Sequence, residues 1–108
     1  MALQPVSIFK SDKTGANETI TLEPAPPATS TNATIASAVY GGQLVQVAGD
    51  RKSLSFTVLQ GVHPLVITLA SPNPNDEIVR LTQGQTILAS PVISQHSGVS
   101  TILIQGNN

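Results

Sequence analysis

The stretch "GDRKSLSFTVLQG", Gly49 to Gly61, decides the fold class. Leu54, Phe56 and Val58 alternate with Ser55 and Thr57. A two-residue period puts apolar side chains on one face and hydroxyls on the other, as in a half-buried strand. Gly49-Asp50 ahead of it is a turn signal. Arg51 and Lys52 stand side by side at the strand's mouth. Only 10% of this chain is charged, against roughly 25% in ordinary globular proteins, so two adjacent cations ask for a reason.

The same period extends in both directions. Ala33 and Ile35 alternate with polar or small neighbours, and the pattern continues to Val39. Gly41-Gly42 predicts a turn and Leu44 to Ala48 a strand. Beyond the quoted strand, Gly61 to Pro64 predicts a further turn. Leu65, Ile67 and Leu69 then share one face, with Val66 and Thr68 opposite. "SPNPND", Ser71 to Asp76, reads as a polar loop. Ile78 to Leu81, Thr86 to Ala89 and Val92 to Ser94 read as short strands around Gly84 and Pro91. "GVSTILIQG", Gly98 to Gly106, is apolar on both faces, as a central or packed strand would be. No segment carries a helical apolar stripe longer than one turn. Strands at such close spacing predict an all-β fold, a small antiparallel β-sandwich or barrel.

A chain of 108 residues predicts one domain. Its first 30 residues differ from the rest. Pro5, Pro24, Pro26 and Pro27 punctuate them, and "LEPAPPATSTN", Leu22 to Asn32, cannot be helix interior. The expected organisation is an extended Pro-containing N-terminal arm over 1–30 and a β-sandwich over 31–108. The arm holds two short strand candidates, Pro5 to Phe9 and Glu18 to Leu22. A domain this small buries only about 60% of its unfolded surface. Only Phe9, Tyr40 and Phe56 supply large rings. Oligomerisation is a common remedy, and an arm packed on a neighbouring subunit would provide it. Pro24, Pro26 and Pro27 are the expected contacts.

Composition removes several function classes. There is no cysteine, which excludes a disulfide, a thiol nucleophile and a Cys zinc site. Net charge is −1, which does not fit a nucleic-acid partner. No apolar run approaches the roughly 18 residues of a membrane span. "MALQPVSIFKSDK" lacks the features of a signal peptide, so a soluble product of a cytoplasm is expected. No charged side chain follows Arg80; from Leu81 to Asn108 only His96 can titrate. A charge-free third implies either an outer surface that faces protein or one kept wet by Ser, Thr, Gln and Asn.

Catalytic chemistry finds little support. His63 and His96 each lie beside a turn signal, and no nucleophile-elbow pattern is present. Asp76 and Glu77 are adjacent, so on a strand they point to opposite faces. "NPNDE", Asn73 to Glu77, is oxygen-rich but lacks calcium-loop spacing and glycine. It reads as a solvated turn. No catalytic residue, metal site or cofactor is therefore expected. Tyr40, just before Gly41-Gly42, is a possible ligand contact if its ring is exposed, and core if it is not.

"QVAGDRKSLSFTVLQGVHPLVITL", Gln46 to Leu69, resembles a pattern in small virion proteins of tailed bacteriophages. A strand there ends in a short Asn/Asp-containing turn, followed by paired cations with Ser-Leu, an alternating strand, a turn and a second apolar strand. Leu81-Thr82-Gln83-Gly84 and the closing strand Gly98 to Gln105 also match, so the resemblance spans roughly Thr31 to Gln105. The Pro-rich segment ahead of a small β domain is similar to that of phage head-decoration proteins. The resemblance implies a non-enzymatic capsid decoration or cement protein in the virion. It also implies a homotrimer and contact with the major capsid protein or other virion subunits. Arg51 and Lys52 would then either anchor the domain on an acidic subunit surface or cap the sheet's rim and keep it soluble. The alternatives are a tail, baseplate or fibre accessory protein, or a module that binds host-surface carbohydrate through Tyr40.

Overall fold

The structure, a computed structural model, describes residues 8–26, 29–71, 77–94 and 97–107. Pro5, Pro27, His96 and loop positions 72–76 lie outside the described residues. The described strands, in chain order, are β1 Ile8–Lys13, β2 Asn17–Pro24, β3 Thr34–Tyr40, β4 Gln43–Leu44, β5 Ser53–Thr57, β6 Gly61–Ala70, β7 Glu77–Gln83, β8 Thr86–Ser94 and β9 Ser97–Asn107. They form a five-stranded sheet, order β1-β9-β6-β3-β4, and a four-stranded sheet, order β5-β2-β7-β8. Every ladder is antiparallel except the parallel β1–β9 pair. The fold is the small β-sandwich that the alternation predicts.

The core lies between the sheets. Ile20 of β2, Ile35 of β3, Leu65 and Ile67 of β6, Leu81 of β7, and Ile102 and Ile104 of β9 are fully buried. Leu54 and Phe56, the apolar face of the quoted stretch, join the same cluster. Fully burying one such side chain contributes about 1.5–3 kcal/mol, so this apolar layer is the main stabilising element. Gly106 is needed where the segment after β5 crosses β9: a Cβ there would stand 1.9 Å from the Leu59 carbonyl oxygen.

The expected arm is replaced by something else over its described part. Residues 8–24 form two strands of the sandwich. β2 lies inside its sheet between β5 and β7, with Ile20 and Leu22 in the core. Pro24 terminates β2 opposite Val79. Pro24 therefore marks the end of a core strand rather than part of an arm outside the domain.

Three local expectations also change. Gly61 to Pro64 is not a turn but the first part of the ten-residue strand β6. Pro64 accepts a hydrogen bond from the Gly41 N–H through its carbonyl at 3.2 Å. Its ring nitrogen faces the same side, where β3 has already ended at Tyr40, opposite Leu65. The missing N–H thus sits where no ladder partner follows, which is how proline enters a strand cheaply. The strand expected over Leu44 to Ala48 shrinks to Gln43–Leu44, with one isolated bridge between Val47 and Leu54. Thr86 to Ser94 is one strand rather than two, and its pairing with β7 absorbs register shifts.

Candidate functional site

The two outer faces of the sandwich differ sharply in chemistry. On the four-stranded sheet, the outward row sites are Thr19 opposite Ser55, Thr21 opposite Ser53, and Asn17 opposite Thr57. Glu23 opposite Arg80 and Thr21 opposite Thr82 continue that face. The Thr19 and Ser55 hydroxyls lie 3.0 Å apart within hydrogen-bonding reach. This surface is rich in hydroxyls, with Thr82 buried and Ile87, opposite it in β8, 50% exposed.

The five-stranded sheet presents the opposite surface. Residues paired across a ladder share a face. Leu44, Val39, Val66 and Thr101 therefore form one outward row across four strands. Pro64, Leu103 and Phe9 form a second row, and Ser37, Thr68 and Val99 a third. Leu44 is 82% exposed, Phe9 53%, Val62 51% and Val99 43%. Among the described residues, Lys13 at the end of β1 is the one charged outward position on these five strands. Val62, Gln105 and Ser11 form a fourth, more polar row; exposed apolar patches mark contacts with protein or membrane, or ligand grooves. This face is the strongest candidate site in the molecule.

Arg51 and Lys52 have local work. Arg51 adopts φ 58°, a left-handed conformation that a non-glycine residue rarely takes. This closes the turn through its N–H to the Ala48 carbonyl, 2.9 Å. The Arg51 carbonyl accepts the Ile35 N–H at 2.8 Å, and the Lys52 carbonyl accepts the Leu22 N–H at 2.7 Å. One dipeptide thus ties β3 to β2, strands of different sheets. The Arg51 guanidinium is exposed and donates weakly to the Ile35 and Ala36 carbonyls at 3.4 and 3.5 Å. Lys52 is half-buried and donates through Nζ to the carbonyls of Thr31, at 3.0 Å, and Ala33. Asp50 accepts the Lys52 backbone N–H at 3.0 Å, an Asx-type turn.

Glu77 meets the same segment from the other side. Its carboxylate accepts the Thr31 hydroxyl and the backbone N–H groups of Asn32 and Ala33, the last at 3.0 Å. Its second oxygen accepts the Ser71 hydroxyl at 2.5 Å. Burial raises the Glu77 pKa, but the hydrogen bonds from Ser71, Thr31, Ala33 and Asn32 together outweigh it and hold the carboxyl below the ordinary value. Adjacency to Asp76 argued only that Glu77 lacks an acid/base partner; its structural use was not legible there.

Tyr40 is core. Its side chain is 4% exposed, its ring packs on Phe56 at 4.8 Å, and its hydroxyl accepts the Leu59 N–H at 2.8 Å. The possible ligand contact is thereby corrected, because no ring face is left for a sugar. A groove of about 280 Å³ beside it is lined also by Leu44, Val45, Thr57 and Leu59, without a charged side chain. His63 Nε2 lies 2.9 Å from the Gln60 carbonyl. Among the described residues no three His, Cys, Asp or Glu side chains gather to hold a metal ion. Of the expected partner contacts, Pro24 is half-buried in the sandwich and Pro26 is exposed.

The structure thus brings Lys52 to Glu77's segment and leaves Tyr40 buried. The residues that sequence reasoning did not single out are Leu44, Val62, Val66, Leu103 and Phe9. The signal was present in "LVITL" and "STILI", apolar at consecutive positions, which marks strands with two apolar faces. No known protein family, curated protein or solved structure matches this chain.

Proposed function

We propose that this chain is a non-enzymatic structural protein of a phage virion, a capsid decoration or cement protein that works as a homo-oligomer on major capsid subunits. The observation that carries this reading is the outer face of the five-stranded sheet, whose one charged outward position among the described residues is Lys13. Its apolar side chains gain free energy only when another protein covers them, at about 25 cal/mol per Å² removed from water. The hydroxyl-rich opposite face suits the solvent side of a densely packed shell, where weak contacts repeated by symmetry sum to firm attachment. The resemblance of Thr31 to Gln105 to small virion proteins supplies the assembly.

The test is co-sedimentation with capsids assembled from the cognate major capsid protein, followed by calorimetry of the capsids. The expected result is saturable binding at a symmetric stoichiometry and a higher capsid melting temperature. Absence of binding to capsids and to tails alike would overturn the reading.

A further inference from the structure

We infer that the outer face of the five-stranded sheet is occupied by the same face of a second copy of this chain, packed sheet on sheet about a two-fold axis. The inference rests on the reading of that face as a protein contact surface and names its partner.

Three observations carry it. The first is charge. An ordinary protein surface is roughly 25–35% charged residues, with both signs interspersed. Such a partner would lose hydration of its charges against a face whose one charged outward position among the described residues is Lys13, at the end of β1. The outward rows Leu44–Val39–Val66–Thr101 and Pro64–Leu103–Phe9 carry no charge. The surface on the molecule that matches this neutrality is the face itself; the other outer face holds Glu23 and Arg80.

The second is size. The long strands of the face, β1, β9, β6 and β3, run 6, 11, 10 and 7 residues. At about 3.3 Å per residue and about 4.8 Å between strands they cover roughly 500 Å². Two copies would bury about 1,000 Å² in total if the whole face is covered, which is the lower limit for a biological interface and fits a weak dimer.

The third is shape. β4 and β1 are the opposite edges of the sheet. They carry the two most exposed large apolar side chains among the described residues, Leu44 at 82% and Phe9 at 53%. The middle holds half-buried Val39, Val66 and Thr101. A two-fold axis along the strands sets the Leu44 edge of each copy over the Phe9 edge of the other. The most exposed apolar side chains of each copy are then covered by the opposite edge of the other, between sheets about 10 Å apart. Such an interface is isologous and closes at two copies.

The test is light scattering on the full chain up to about 100 μM, well above the micromolar Kd that modest interfaces reach. Leu44→Glu, Val66→Glu and Ser55→Glu are measured alongside, with circular dichroism on each and capsid co-sedimentation in parallel. Leu44 and Ser55 are exposed, so both exchanges leave the fold intact. The expected result is a dimer for the full chain and for Ser55→Glu. Leu44→Glu dissociates at least ten-fold more readily, and Val66→Glu is monomeric. A monomeric full chain overturns the inference. If Leu44→Glu also abolishes capsid binding in that case, the capsid subunit is the occupant and the virion reading survives. A trimer overturns it too, because a face-to-face two-fold cannot close at three. A dimer sensitive to Leu44→Glu that ignores capsids and tails leaves the inference standing and removes the virion reading.

Discussion

Glu77 and Lys52 grip opposite sides of one three-residue segment. The carboxylate takes the Thr31 hydroxyl and the Asn32 and Ala33 N–H groups, while the ammonium takes the Thr31 and Ala33 carbonyls. This segment leads into β3 just after the crossing from the other sheet. Its backbone groups have no ladder partner there, and buried or half-buried ones need one. Two charged side chains from distant positions supply it. The lysine of the pair that opens the quoted stretch is thus explained from within the fold.

The Glu77 clamp should be visible in acid. A folded-state pKa below the ordinary 4.5 means that the carboxylate's contribution is complete above that value and is lost as pH falls below it. At neutral pH Glu77→Gln is expected to cost about 1–2 kcal/mol, through hydrogen-bond donors left facing an amide. The melting temperatures of the two proteins should converge as pH falls from about 7 to about 3. Curves that stay parallel throughout would mean that ionisation of Glu77 contributes nothing.

Arg51 and Lys52 should respond in opposite directions. Arg51→Gly removes left-handed strain at φ 58° and two long hydrogen bonds. Stability should be unchanged or rise by up to about 1 kcal/mol. Lys52→Ala leaves the Thr31 and Ala33 carbonyls without their donor and should cost about 1–2 kcal/mol. Urea midpoints at constant slope measure both. Equal losses would show that the guanidinium matters more than the turn geometry.

Tyr40→Phe should lower stability by about 1 kcal/mol, since the Leu59 N–H loses its acceptor. Tyr40→Ala should cost about 3–5 kcal/mol, as a large ring leaves a packed core. Thermal unfolding reads both. Glycan-array binding that depended on Tyr40 while stability stayed unchanged would contradict its place in the core.

Deletion of residues 1–30 should unfold the chain instead of releasing a detachable arm. It removes β1 and β2, and with them Ile20 and Leu22 of the core and the strand that β5 and β7 both pair with. Loss of amide dispersion in a proton–nitrogen spectrum is the expected outcome. A dispersed spectrum from residues 31–108 alone would restore the arm.

Alternation by itself determined the class of this fold. Leu54 and Phe56 face inward, as their spacing with Ser55 and Thr57 requires, and Gly41-Gly42 turns the chain between β3 and β4. Both follow from local stereochemistry, which any few neighbouring residues express. Tertiary structure alone decided which strands pair. β1 lies beside β9, from the far end of the chain, and Glu18 to Leu22 became a core strand although prolines follow it. Pro64 is accepted inside β6 only because β3 ends opposite it. The apolar outer face likewise exists only after pairing, because a period of two says which residues share a face and nothing about what covers it. Its rows are built from residues dozens of positions apart, Phe9 with Leu103 and Val39 with Val66. Such contacts are chosen by the global burial of apolar area, a sum over the whole chain that no single stretch contains.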